Sequence, residues 1–318
     1  MPRTEKAIAV SAAPLSLPAI IAQAAQAAAA GQHWPPGALY VVATPIGNRA
    51  DLTLRAVHAL GLVDAVACED TRVSGALLAH LGLAKPLIAL HEHNERDAAA
   101  QVLVRLARGE RVAYVSDAGT PAVSDPGAAL VAAVRSAGHA CVPIPGASSV
   151  VAALSVAGDT QAEGFAFVGF APAKAAERRA WLDALAARVR ESIVLFETPH
   201  RIAALLDALA AVMPARQVTI ARELTKQFET VHALAAGDAP AWLAADPNRA
   251  RGEFVLVLHA QREHAVTEAL DHEAERVLAL LLAELPLKQA VALAASISGA
   301  PRNALYQRAL ALRGDPSG

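Results

Sequence analysis

From Gly37 to Ala157 the chain repeats one unit: a short apolar run, a cluster of small or polar residues, then text with helical spacing. The apolar runs are residues 38–43, 63–68, 86–90, 112–115 and 141–144. Helices are expected over 51–60, with Asp51 as N-cap, then over 73–81, 97–108 and 128–137, with a last one ending at 157. Strands alternating with helices require a parallel sheet covered by helices. The polar clusters all follow strands, so they gather along the carboxyl edge of the sheet, where open α/β sheets bind ligands.

The longest cluster is Ser116-Asp117-Ala118-Gly119-Thr120-Pro121-Ala122-Val123-Ser124-Asp125-Pro126-Gly127. Its glycines let backbone approach a ligand, its aspartates accept hydrogen bonds, and its prolines hold one shape and lower the ordering cost of binding. An ordinary βα turn is the plainer alternative. The companion clusters are Thr44-Pro45-Ile46-Gly47-Asn48, Glu69-Asp70-Thr71-Arg72, His91-Glu92-His93-Asn94-Glu95 and Pro145-Gly146-Ala147-Ser148-Ser149. Five such clusters at one sheet edge define a site.

After Gly158 the pattern changes. Strands are expected over 165–170, 192–196, 217–221, 229–233 and 253–259, with helices over 175–190 and 202–212. The short spacings suit antiparallel pairing and a second, mixed α/β domain. The helix over 175–190 carries Arg178, Arg179, Arg188 and Arg190, either a solvated face or an RNA contact. Helices over 267–283, 287–297 and 302–312 form a tail, the last two across a Gly-containing turn as in a helix-turn-helix. From 286 to 313 the tail has Lys288, Arg302, Arg308 and Arg313 and no acidic residue. It is the best local candidate for phosphate contact, with a small bundle or dimer contact as the alternative. The expected division is a leader over 1–36, an N-terminal domain over 37–157, a second domain over 158–261 and the tail over 262–318.

In the leader, Arg3 and Lys6 precede an apolar stretch, and Ala22-Gln23-Ala24 is a crude cleavage site. Glu5, Pro14 and Pro18 argue against export and against a membrane span, so a disordered Ala-rich leader is expected. A net charge of -2 excludes a uniformly basic coat. Cys68 and Cys141 form neither a CxxC pair nor a zinc spacing, which points to a reducing, cytoplasmic compartment. The motifs of P-loop NTPases, α/β hydrolases, HExxH metalloproteases and GxGxxG dinucleotide-binding proteins are absent from the sequence. His91 and His93 could bind a metal but lack further ligands nearby, so no metal site is expected. What remains is a small organic cofactor held by backbone and small side chains.

These clusters, with Gly169-Phe170, Pro172-Ala173-Lys174, Glu197, His200-Arg201, Ala221-Arg222-Glu223-Leu224-Thr225-Lys226, Gly252-Glu253, Glu284-Leu285-Pro286-Leu287-Lys288 and Asn303-Ala304-Leu305-Tyr306, resemble the ribosomal-RNA-methylating branch of the tetrapyrrole methylase superfamily. The resemblance runs from about Gly37 to the C-terminus. It implies two α/β domains with S-adenosylmethionine in the cleft between them, a helical tail and a homodimer. It implies as acceptor the ribose 2'-hydroxyl of a cytidine in the decoding region of 16S ribosomal RNA, free or in the small subunit. Tetrapyrrole-modifying members usually carry a GxGxGD-type first loop, which Thr44-Pro45-Ile46-Gly47-Asn48 replaces here. The chain departs from the pattern at Ala147-Ser148-Ser149, where small residues are nonetheless kept.

A ribose hydroxyl is a weak acid, so a base or a cation beside the developing oxyanion would help. Glu69, Asp70, His91 and Glu223 are candidate proton acceptors, Arg72, Arg222 and Lys226 candidate cations, and Asn94 is grouped with them as a catalytic polar group. Neighbours such as Asp70 with Arg72 could equally be structural ion pairs. Pro45, Gly47, Asp117, Ala118, Gly119, Thr120, Pro145, Gly146 and Ser148 are expected at the cofactor. A tetrapyrrole methyltransferase and a non-catalytic nucleic-acid-binding protein are the alternatives.

Overall fold

The computed structural model describes residues 16–91, 94–124, 126–261 and 272–314. The first part runs β1 (Leu39–Val42), α2 (Leu54–Leu62), β2 (Ala65–Cys68), α3 (Thr71–His80), β3 (Leu87–Ala89), α4 (Glu95–Ala107), β4 (Val112–Val115), α5 (Ala128–Ser136), β5 (Cys141–Ile144) and α6 (Ser149–Ala157), preceded by α1 (Leu17–Ala29). The five strands form one sheet in the order β3-β2-β4-β1-β5, and every pairing is parallel. Each strand has a residue period of two, so alternate side chains feed different layers. Tyr40, Val42, Cys68, Ala113 and Val115 pack with α1, α2 and α3. Leu39, Ala65, Ala67, Val112 and Tyr114 pack with α4 and α5.

The second part runs β6 (Gly164–Phe170), α7 (Ala175–Ala186), β7 (Glu191–Glu197), α8 (Ile202–Val212), β8 (Gln217–Arg222), β9 (Thr230–Ala235), α9 (Ala239–Ala244) and β10 (Phe254–Leu258). Its sheet is ordered β6-β7-β10-β8-β9. Only the β6–β7 pairing is parallel, so the sheet is mixed as the spacings suggest. One face is covered by α7, α8 and α9. The other receives α6, whose Val150, Ala153 and Ala157 pack with Val194, Ala221, Val255 and Val257. Helix α6 follows the last strand of the first sheet yet buries its face on the second, and so couples the two. Helices α10 (His272–Glu284), α11 (Leu287–Ser298) and α12 (Arg302–Gly314) close a small separate core around Leu278, Val291 and Leu305. No helix among the described residues is long and apolar enough to cross a membrane.

Local expectations are corrected at three places. Asp51 does not cap α2: it lies in a 3-10 turn capped by Asn48, and the Thr53 hydroxyl caps α2 by accepting from Ala56 N at 3.1 Å. The leader is helical over Leu17–Ala29, where Ala25 and Ala29 are buried beside α2, because its alanines present a flat face to that helix. Helix α7 ends at Ala186 rather than 190, since the buried Arg216 guanidinium draws the carbonyls of Leu185 and Arg188 to itself at 3.2 and 3.1 Å. The expected tail helix begins with residues 267–271, which lie outside the described residues, as do His93 and Asp125.

Candidate active site

Strands β1 and β4 are neighbours, yet the chain leaves them for opposite faces of the sheet: α2 lies in one layer, α5 in the other. Such a divergence opens a crevice at the carboxyl ends. Backbone bonds brace it. Thr44 N donates to Gly119 O at 2.9 Å, and Gly119 N returns a bond to Thr44 O at 3.1 Å. The Thr44 hydroxyl donates to Ser116 O at 3.1 Å and the Thr120 hydroxyl to Ala147 O at 3.0 Å. Three of the predicted loops are thereby stitched together.

Gly127 ends the longest loop at φ 118, and a Cβ there would run into the Tyr114 ring. The Tyr114 hydroxyl donates to Pro126 O, and Gly127 N donates to the Glu95 carboxylate at 2.6 Å. The far end of the loop is thus tied down as firmly as its start.

The second sheet closes the crevice. Between the two lies a cavity of about 330 Å3. Ile46, Ala118, Gly119, Thr120, Val123, Ser124, Ser148, Ser149 and Val150 line it from the first part, and Phe170, Phe196, Glu197, Thr198, Leu224, Glu253, Phe254 and Val255 from the second. Among the described residues the wall combines apolar surface, hydroxyls and two carboxylates, with no lysine or arginine. Glu197 is 3% exposed; its carboxylate accepts from Thr198 N at 2.9 Å and pairs with Arg201 Nε at 3.3 Å.

Of the residues expected at the cofactor, Ala118, Gly119, Thr120 and Ser148 are on this wall. The others are not part of its lining. The Asp117 carboxylate accepts from Asp70 N at 3.1 Å, joining the β4 and β2 loops. Gly146 is packed on β1, where a Cβ would come 3.0 Å from Ala43 Cβ. Pro145 and Pro45 flank lining segments without being part of the lining. Gly47 meets the second sheet: a Cβ would stand 2.5 Å from Lys226 Cγ and 2.9 Å from Thr225 Oγ1. Asn48 N donates to that same Thr225 hydroxyl at 3.1 Å.

The proposed catalytic groups fall in two clusters, neither on the cavity wall. Glu69, Asp70 and Arg72 follow β2, and His91 and Asn94 follow β3. Asp70 caps α3 by accepting from Arg72 N at 2.8 Å and pairs with Arg72 Nη2 at 2.6 Å. The Arg72 side chain and backbone hold its carboxyl down at about 2, which makes it a poor base. The Asn94 carboxamide accepts from His91 N at 2.8 Å and donates to Ala89 O at 3.0 Å, shaping the loop.

Glu223 and Lys226 form the other cluster, beside the lining residues Leu224 and Glu253. Lys226 Nζ reaches Glu223 and Glu253, each at 2.9 Å. Burial works against charge on Glu223, but the bonds from Lys226 and Glu253 N outweigh it and push its carboxyl down. Burial also opposes the Lys226 charge, and the two carboxylates outweigh it and push the ammonium up. Glu223 and Thr225 hold φ of 51 and 66, a strained pair of which Thr225 meets Gly47 and Asn48 of the first part. Arg222 is withdrawn as a free cation: it is buried and gives its guanidinium to the carbonyls of Asn248, Arg251 and Phe228 and to the Thr230 hydroxyl.

Sequence reasoning missed the apolar half of the wall. Phe167, Phe170 and Phe196 are three of only six phenylalanines, and their rings gather at 4.7 and 5.7 Å around Phe196. That scarcity, together with the motif positions of Phe170 and Glu197, was the available signal.

A parallel α/β sheet feeding a mixed sheet, with a cavity at the divergence of β1 and β4, defines a two-lobed ligand-binding α/β protein. Residues 38–240 match the Tetrapyrrole (Corrin/Porphyrin) Methylases, and residues 268–313 match the RsmI C-terminal HTH domain. The chain belongs to the tetrapyrrole methylases and, within them, to the family of ribosomal RNA small subunit methyltransferase I. A relative so named from Escherichia coli O157:H7 is 47% identical over 87% of this chain and 96% of its own. One from Neisseria meningitidis serogroup B (strain MC58) is 50% identical over 86% of this chain and 93% of its own. Among solved structures, cobalt precorrin-4 methyltransferase aligns with a TM-score of 0.53 at 18% identity, over 72% of this chain and 98% of that one. Diphthine synthase aligns with a TM-score of 0.52 at 16% identity, over 70% of this chain and 90% of that one. At those identities the likeness shows the fold.

Proposed function

We propose that the protein transfers a methyl group from S-adenosylmethionine to the ribose 2'-hydroxyl of a cytidine in the decoding region of 16S ribosomal RNA. The observation that carries the reading is the near full-length identity to relatives named for small-subunit RNA methylation, combined with a cavity whose chemistry fits the donor. The donor set suits a cationic nucleoside: Phe170, Phe196, Ile46 and Val255 offer apolar surface, Thr120, Ser148 and Thr198 offer hydroxyls, and Glu197 and Glu253 offer negative charge. Bound there, S-adenosylmethionine supplies an electrophilic methyl group. The chain then has to bring a hydroxyl into line and assist its deprotonation. Glu69 and His91, after β2 and β3, are the proposed proton acceptors; Asp70 and Glu223, whose carboxyls are pushed down, are weaker bases. Lys226 is the proposed cation beside the developing oxyanion. A polycarboxylate tetrapyrrole finds no lysine or arginine among the described residues of this wall, which argues against the macrocycle as acceptor.

The same reading makes the protein a cytoplasmic homodimer that acts on 16S RNA or the small subunit. It also takes 37–157 and 158–261 as its two catalytic domains and 262–318 as an accessory tail. The test is label transfer from methyl-labelled S-adenosylmethionine to small subunits, and to free 16S RNA, from cells lacking the gene. Label in either acceptor supports the reading, and absence from both ends it.

A further inference from the structure

The tail carries a feature the methyl-transfer cavity does not explain. A hollow of about 380 Å3 opens between the first turns of α11 and α12, lined by Lys288, Val291, Arg302, Asn303 and Tyr306. Val291 is buried, while Tyr306 is 37% exposed. From 286 to 314 the chain holds no acidic residue. Among the described residues neither Lys288 nor Arg302 makes an ion pair.

Several other basic groups singled out from the sequence have partners. Arg308 pairs with Glu275 at 2.8 Å, Arg179 with Asp183 at 3.4 Å and Arg188 with Glu191 at 2.5 Å. Arg190 lies 3.9 Å from Glu163, and Arg178 donates to the carbonyls of Pro172 and Ala173. The arginines of α7 and of the turn after it are thus each engaged within the protein, whereas the tail hollow keeps two cations outside any ion pair beside an amide and an aromatic ring. With a net charge of -2, attraction to a polyanion has to be local.

We infer that this hollow docks a single strand of ribosomal RNA, one phosphate between Lys288 and Arg302 and an adjacent base against Tyr306. Cations on a phosphate and a ring under a base are the elements of sequence-tolerant single-strand binding. The site rests on the methyl-transfer reading and adds to it: the tail grips the substrate away from the reacting atoms, so it sets RNA affinity and leaves donor binding untouched.

The test measures RNA affinity of the full chain by filter binding across salt, without turnover. The double variant Lys288→Ala/Arg302→Ala should bind a 16S fragment about tenfold more weakly. Loss of that one phosphate contact should flatten the salt slope by about 0.7. Tyr306→Ala should weaken binding at an unchanged slope, Arg179→Ala should do nothing, and S-adenosylmethionine affinity should stay constant throughout. If the double variant folds poorly, Lys288→Arg/Arg302→Lys keeps both charges and should keep the slope. Unchanged affinity and slope in the double variant would overturn the inference. So would a loss of self-association, by light scattering, at unchanged RNA affinity, which would assign the hollow to a second copy. A wild-type chain that binds RNA through this hollow but transfers no methyl group would defeat the functional reading and leave the docking site standing.

Discussion

Gly47→Ala tests the idea that the cavity depends on how closely the two sheets' loops meet. The residue does not hold a positive φ, so alanine meets no backbone penalty and the cost is crowding alone. The new Cβ would stand 2.5 Å from Lys226 Cγ, 2.9 Å from Thr225 Oγ1 and 3.2 Å from Leu224 O. None of these yields easily. Leu224 O is backbone, and Lys226 is held at its far end by Glu223 and Glu253. Overpacking of this kind costs about 1–3 kcal/mol. The cheapest escape is for the loops to part, which moves Ile46 and Leu224 on opposite walls of the cavity. If parting relieves the whole cost, S-adenosylmethionine affinity falls roughly 5- to 160-fold. Titration calorimetry on wild type and variant reads this directly, with a thermal melt alongside. Adding Lys226→Ala removes the nearest clashing atom, so the two changes should couple by about 0.5 kcal/mol or more. A lower melting temperature with unchanged affinity would place the strain elsewhere and refute the reasoning.

Three further outcomes are expected. The Asp70 carboxyl sits at about 2 when folded, below its usual value, so its contribution is fully present above about pH 4 and lost as pH falls toward 2. Urea melts of wild type and Asp70→Asn should therefore converge between pH 5 and 2.5, and a constant gap would contradict the pairing with Arg72. Gly127→Ala should cost about 2–5 kcal/mol, from crowding against Tyr114 plus a left-handed φ, and a loss below about 1 kcal/mol in denaturant melts would contradict the contact. Leu278→Ala, in the tail core, should destabilise the tail by about 2–5 kcal/mol and speed its amide exchange without changing donor affinity; a parallel fall in donor affinity would show that the tail core is not separate.

Local chemistry explains what could be read from the sequence. Residues 112–115 form β4 at their expected bounds because a four-residue apolar run between Arg111 and Ser116 has no other buried use. The loops after β1, β4 and β5 converge because parallel strands leave them no alternative, and that placed Ala118, Gly119, Thr120 and Ser148 on the cavity wall. Misplacements came from contacts distant in sequence. Nothing near Ala186 announces that Arg216, far along the chain, will take its neighbours' carbonyls and stop α7. The wall supplied by Phe170, Phe196 and Glu197 depends on α6 lying across the second sheet, and helical periodicity does not say which sheet a face will meet. Gly47 and Asp117 read as ligand contacts because small and acidic loop residues often are; that they also hold one loop against another depends on partners distant in sequence.

The central claim is most directly tested by nucleoside mass spectrometry of 16S RNA from a strain lacking the gene, before and after incubation with the purified protein and S-adenosylmethionine. The account predicts a new 2'-O-methylated cytidine in a fragment from the decoding region, dependent on the donor and weakened by Gly47→Ala. Methylation on a base, or no new modification in either free RNA or small subunits, would contradict it.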